Sequence, residues 1–169
     1  MSDLPLLLPG IVISVIVSVA TSGRAARALG TRRFVAGLLI LSAGLILTIT
    51  LSPLAEECAC DPNVVGACDL SRIGLAPLDE VLDVNTTSLN ILMFMPLGLA
   101  VGLLPGSRRR TAILIGAIAL PFVIEAIQAL VPPLERACES ADVVDNLTGL
   151  AIGLLVGAAA TRLGRTSSA

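Results

Sequence analysis

The sequence predicts an all-α integral membrane bundle of five transmembrane helices in one domain. Three observations predict it. Hydrophobic residues make up 55% of the 169-residue chain and charged residues only 14%, with a mean hydropathy of +0.94; soluble domains carry roughly 25% charged residues. The apolar residues gather in five runs, each close to the roughly 20 residues a helix needs to cross a hydrocarbon core of about 30 Å. The arginines are sorted between alternate connections. Tyr and Trp are absent, so the usual interfacial aromatic belt is missing.

Taken in order, the runs place helices at about 4–22, 34–55, 87–105, 111–131 and 143–163. The first has Arg24 and Arg27 after it and only Asp3 before it. A cleaved signal peptide has its basic residues in front, so this run reads as a retained helix. All 11 basic residues are arginine, and nine fall in the connections after the first and third runs or at the end of the fifth: Arg24, Arg27, Arg32, Arg33, Arg108, Arg109, Arg110, Arg162 and Arg165. The positive-inside rule then selects an N-out, C-in topology. That topology leaves an acidic loop at 56–85 and a short turn at 132–142 outside. The loop has turn signals at Asp61-Pro62 and Gly66 and a short helix expected near Leu78 to Leu82. Asn85-Thr86-Thr87 matches the glycosylation pattern but carries no weight. Arg165 to Ala169 reads as a tail.

The four cysteines, Cys58, Cys60, Cys68 and Cys138, all fall outside on this topology. An even number on an oxidising side suggests disulfides. A Cys58–Cys60 bridge closes a very tight ring, which disfavours that connectivity. The other two tie Cys138 to Cys58 or to Cys60. A metal site would need four thiolates or added histidines. The chain has no histidine, so no metal is expected.

Polar residues cluster at the outer ends of three helices. Glu125 sits about six residues inside the fourth run, roughly 9 Å in at 1.5 Å per residue. Gln128 shares its face. Pro132-Pro133 ends that helix, and Arg136 lies in the turn. Asp142 and Asn146 share a face at the start of the fifth helix, with Asp145 a step round. Asn90 enters the third helix from the same side. A charge within a spanning helix costs about 2.5–3.5 kcal/mol at its centre, more than a helix-clamping contact returns. The structural alternative pairs Glu125 with Arg136 and uses Asn90 and Asn146 as cross-links. Gly149, Gly153 and Gly157 recur every four residues and read as a packing face, with a weaker version at Gly98 and Gly102.

These residues resemble the VanZ-like family of small bacterial membrane proteins. Asn90-Ile-Leu-Met-Phe94-Met-Pro96-Leu-Gly98 looks like its N-x-x-x-F-x-P-x-G helix. Glu125, Gln128, Arg136, Asp142, Asn146, Gly149 and Gly153 reproduce the intervals of a second block. The resemblance covers about Leu38 to Gly157 loosely and Asn90 to Gly153 closely. The cysteines, the long acidic loop and Asp145 depart from the minimal pattern. The family takes its name from a member that raises resistance to the glycopeptide teicoplanin. The resemblance implies a role in the cell envelope at a bacterial plasma membrane, and no settled activity.

Three functions compete. In the first, a binding or modulating protein holds an anionic headgroup with Arg136 as cation and Asn90, Gln128 and Asn146 as hydrogen-bond partners. Its ligand would be a lipid-linked wall precursor or a lipophilic glycopeptide. In the second, an intramembrane enzyme uses Glu125 and Asp142 as an acid/base pair or to hold a divalent metal. In the third, a transporter uses Glu125 as a proton relay, although no second ionisable residue continues the path. Binding is the preferred reading. No catalytic residue is assigned. The bilayer is the expected surroundings, with no cofactor and no nucleic acid.

Overall fold

The computed structural model describes residues 6–53, 68–134 and 136–166. Five long helices carry the chain: α1 (Leu7–Leu29), α2 (Arg33–Leu51), α4 (Thr86–Leu103), α5 (Arg108–Leu130) and α6 (Ser140–Thr166). All five are long and apolar enough to cross a membrane. A five-residue helix, α3 (Leu78–Leu82), lies in the 56–85 loop where the sequence places one. Two-residue strands β1 (Cys68–Asp69) and β2 (Cys138–Glu139) pair in parallel, an element the helical reading does not contain.

α1, α5 and α6 extend beyond the apolar runs because their polar ends stay helical, whereas α2 stops at Leu51 and α4 at Leu103, short of the expected 55 and 105. Ser107 caps α5, its hydroxyl accepting from the Arg110 N–H at 3.2 Å, so Arg108 to Arg110 form the first turn. Asn85 and Ser88 form a reciprocal capping box on α4. The Asn-Thr-Thr pattern is therefore a helix start. Gly30 ends α1 in the left-handed region, φ 64°, where glycine carries no steric penalty.

Helix pairing follows the small residues. α1 and α2 pack antiparallel, with Gly10 against Thr48 and Ser14 against Gly44, and Ser18 donates to the Gly37 carbonyl at 2.8 Å. The hydroxyls of Ser42, Thr48 and Thr50 bond their own helix one turn back, which satisfies them without water. α4 and α6 run parallel in the tightest packing of the molecule. A Cβ added at Gly149 would meet the Ile91 carbonyl, at Gly153 the Met95 carbonyl, and at Gly157 the Leu99 carbonyl, each closer than 3.0 Å. α5 returns the chain between them. Ile46, Phe94, Leu97, Ala117, Ile124 and Leu150 close one core from four helices. The free face of α1 exposes Leu8, Ile13, Ile16 and Val19, as a lipid-facing helix does.

The cysteine expectation needs correction. Cys138 bonds Cys68, with Cα atoms 4.6 Å apart, and not Cys58 or Cys60. The parallel register sets Cys68 directly opposite Cys138. Excluding this pairing on ring strain at Cys58–Cys60 assumed that every cysteine is paired. Cys58 and Cys60 lie outside the described residues, as does the end of the tail. The bond closes a 70-residue separation, so Cys138→Ser is expected to lower stability by about 2–4 kcal/mol. Helix melting in detergent should drop in the variant. Dithiothreitol should bring the wild type down to the same temperature and leave the variant unchanged.

Candidate functional site

At the end of the bundle where α2 finishes and α4 and α6 begin, the helices part around a cavity of about 670 Å³. The six polar residues singled out in the sequence all line it: Asn90, Glu125, Gln128, Arg136, Asp142 and Asn146. The rest of the wall is largely apolar, with Leu38, Leu41 and Leu45 from α2 and Leu89, Leu92 and Met93 from α4. Pro96 belongs to this wall too. Its ring removes the N–H that would bond the Leu92 carbonyl and loosens α4 at this level.

The polar end is held by bonds from several elements. The Asn90 amide donates to Asp142 Oδ1 at 2.7 Å, joining α4 to the first turn of α6. Glu125 is 5% exposed, and its Oε2 accepts from the Glu139 N–H of β2 at 2.8 Å. Gln128 Nε2 donates to the Thr50 carbonyl at 3.0 Å. That contact fixes the amide orientation, because a flipped Gln128 would set oxygen against oxygen. It leaves Gln128 Oε1 buried with no donor among the described residues, and Asn146 Oδ1 is in the same position. A buried orphan acceptor costs about 1–3 kcal/mol, so two in one cavity need a reason.

Arg136 does not pair with Glu125. Its guanidinium donates to the carbonyls of Ile49 at 2.9 Å and Ser52 at 3.3 Å. These are C-terminal carbonyls of α2 with no helical donor, and the cation also meets the negative end of the helix dipole. Burial pulls the Arg136 pKa below its ordinary range, while the nearby Asp142 charge acts against that. Sequence reasoning does not reach these partners, because a backbone carbonyl leaves no mark on residue type.

Asp145 faces away from the cavity. It is 1% exposed and takes a two-pronged ion pair from Arg72, at 2.5 and 3.1 Å. The Asp145 carboxylate raises the Arg72 pKa, against the opposing effect of burial. Ser140 Oγ donates to the Arg72 carbonyl at 2.8 Å. With the Cys68–Cys138 bond, these contacts stitch residues 68–74 onto the start of α6. Arg72 was not among the sequence candidates. The one available signal was an arginine on the acidic side facing an unmatched aspartate. Among the described residues no three acids or cysteines converge in the manner of a metal cluster.

The cavity can therefore take an amphiphile, with its head among the carboxylates and amides and its apolar part against the leucines. A family model described as VanZ/LLP1 matches residues 35–160, about three-quarters of the chain. That range contains every polar residue of the cavity and begins after α1. Neither curated proteins nor solved structures gave a match.

Proposed function

We propose for this chain, which belongs to the VanZ/LLP1 family of membrane proteins, a role in binding an amphiphilic ligand of the cell envelope. The candidate ligands are a lipid-linked wall precursor and a lipophilic glycopeptide. One observation carries the reading: six polar side chains from α4, α5, α6 and the turn between the last two meet an apolar wall in a single cavity. Pockets of roughly 300–1,000 Å³ with few polar groups on an apolar lining are the usual form of a small-molecule site.

The same reading places the cavity end on the outer face of a bacterial plasma membrane, with the N-terminus out and the C-terminus in. Arginine placement supports this, and so does a disulfide at that end, since disulfides persist on the oxidising side. Glu125 and Asp142 share the cavity, which keeps a second reading open: carboxylate chemistry on a lipid-linked substrate.

Filling the cavity tests the proposal. Leu92 lines it yet is 58% exposed, so Leu92→Trp should fold while taking up ligand space. Purified protein in nanodiscs is offered a lipid-linked disaccharide-pentapeptide precursor and, separately, teicoplanin. Binding of at least one is expected, weakened at least tenfold, about 1.4 kcal/mol, by Leu92→Trp. No binding of either, or equal binding by wild type and variant, would remove the proposal. Product release abolished by Glu125→Gln and Asp142→Asn would favour the enzymatic reading instead.

A further inference from the structure

The chemistry of the polar end narrows what head it can hold. The groups there are mostly acceptors. Gln128 Oε1 and Asn146 Oδ1 are buried without donors, in side chains only 7% and 2% exposed. The Glu125 and Asp142 carboxylates stand on the same cavity. Each has one oxygen engaged, by the Glu139 N–H and by the Asn90 amide. Most donors are committed, apart from Arg136 Nη1 and the Asn146 amide nitrogen, which make no bond among the described residues. Arg136 spends its Nε and Nη2 on the Ile49 and Ser52 carbonyls, Asn90 points an N–H at Asp142, and Gln128 points one at Thr50.

We infer that the cavity selects a head rich in N–H or O–H donors, such as the hydroxyls of a glycosyl group or a primary ammonium, and disfavours a bare anion. This rests on the amphiphile-binding reading above and changes its head chemistry. The simplest use of Arg136, as the cation under an anionic headgroup, is limited by its bonds to α2, which leave only Nη1 for a ligand. An anion would also sit beside two carboxylates and against the Gln128 orphan oxygen, none of which can donate while the acids are ionised, leaving it the Asn146 amide and Arg136 Nη1 as donors. A donor-bearing head gives those oxygens the partners they lack.

The test compares heads on identical acyl chains. Full-length protein in phosphatidylcholine nanodiscs, whose head has no N–H or O–H donor, is titrated with three diacyl lipids and read by native mass spectrometry. One carries a glucosyl head, one a primary ammonium, and one the phosphate monoester of phosphatidic acid. Leu92→Trp reports how much binding belongs to the cavity. The expected result is cavity-dependent binding of the glucosyl or ammonium lipid at least tenfold tighter than phosphatidic acid; whichever binds better identifies the donor type. Gln128→Met, close in shape but without the orphan oxygen, should reduce that preference to under threefold. Phosphatidic acid binding as well as or better than both others would overturn the inference while leaving the cavity a ligand site. If no lipid shows cavity-dependent binding, the amphiphile reading falls and this inference with it. The wild-type comparison decides the matter even if Gln128→Met does not fold.

Discussion

Replacing Arg72 with alanine is expected to cost about 3–5 kcal/mol of folded stability, the range for leaving one partner of a buried ion pair uncompensated. The asymmetry of the pair sets the size. Asp145 has 2% of its side chain exposed and Arg72 has 24%, so the arginine can be lost to solvent but the aspartate cannot be rehydrated in place. The arginine's exposure puts the expectation at the lower end of the range. The consequence reaches the cavity, because Asp145 is flanked by Asn146, and Asp142 lies one turn before it. Unpinning residues 68–74 should loosen the first turn of α6 and weaken ligand binding. Arg72→Ala/Asp145→Leu removes both charges, and replacing a buried pair by apolar residues is often neutral. Denaturant titration in mixed micelles, followed by helicity, should therefore rank the double variant above Arg72→Ala. A single variant as stable as wild type, or a double variant no better than the single, would show that the pair is not stabilising in this way.

The helices were legible because a bilayer demands long apolar runs and charge sorting marks their ends. The six polar residues of the cavity were legible for the same reason: carboxylates and amides stand out in an apolar chain, and helical spacing assigns them to neighbouring faces. What could not be read is whatever depends on a partner distant in sequence or without a side chain. Arg72 and Asp145 are separated by 73 positions, with an irregular loop between the arginine and α4. The β1–β2 pair is too short to leave an alternating pattern, and its register sets Cys68 against Cys138. Arg136 was legible as a cation at the right depth, but its bonds to the Ile49 and Ser52 carbonyls were not. The sequence therefore suggested an anion-holding cation where the guanidinium bonds the end of α2 instead. The short helix at Leu78 to Leu82 shows the converse. Its residues are local, Asp79 and Glu80 sit in its first turn, and the acids suit a helix start.

Gly153→Leu should lower stability by more than about 3 kcal/mol, beyond the usual range for overpacking. Overpacking is ordinarily relieved by a neighbouring side chain that changes rotamer. Here the neighbour is backbone: a Cβ at Gly153 would strike the Met95 carbonyl and the Leu99 amide nitrogen of α4. Only separation of the helices can relieve that, and it would strip contacts along the whole stripe from Gly149 to Gly157. Membrane helices associate through such close packing, with lipid supplying no hydrophobic drive, so little remains to hold α6 once the backbones part. The Asn90–Asp142 bond spans this interface, so the variant should lose ligand binding together with stability. Gly116 offers the contrast. It lies on α5 with nothing within 4 Å of an added Cβ, and Gly116→Ala should stabilise the helix by roughly 0.5–1 kcal/mol. If Gly153→Leu melts within a degree or two of Gly116→Ala, the α4–α6 contact is not the close backbone packing described here.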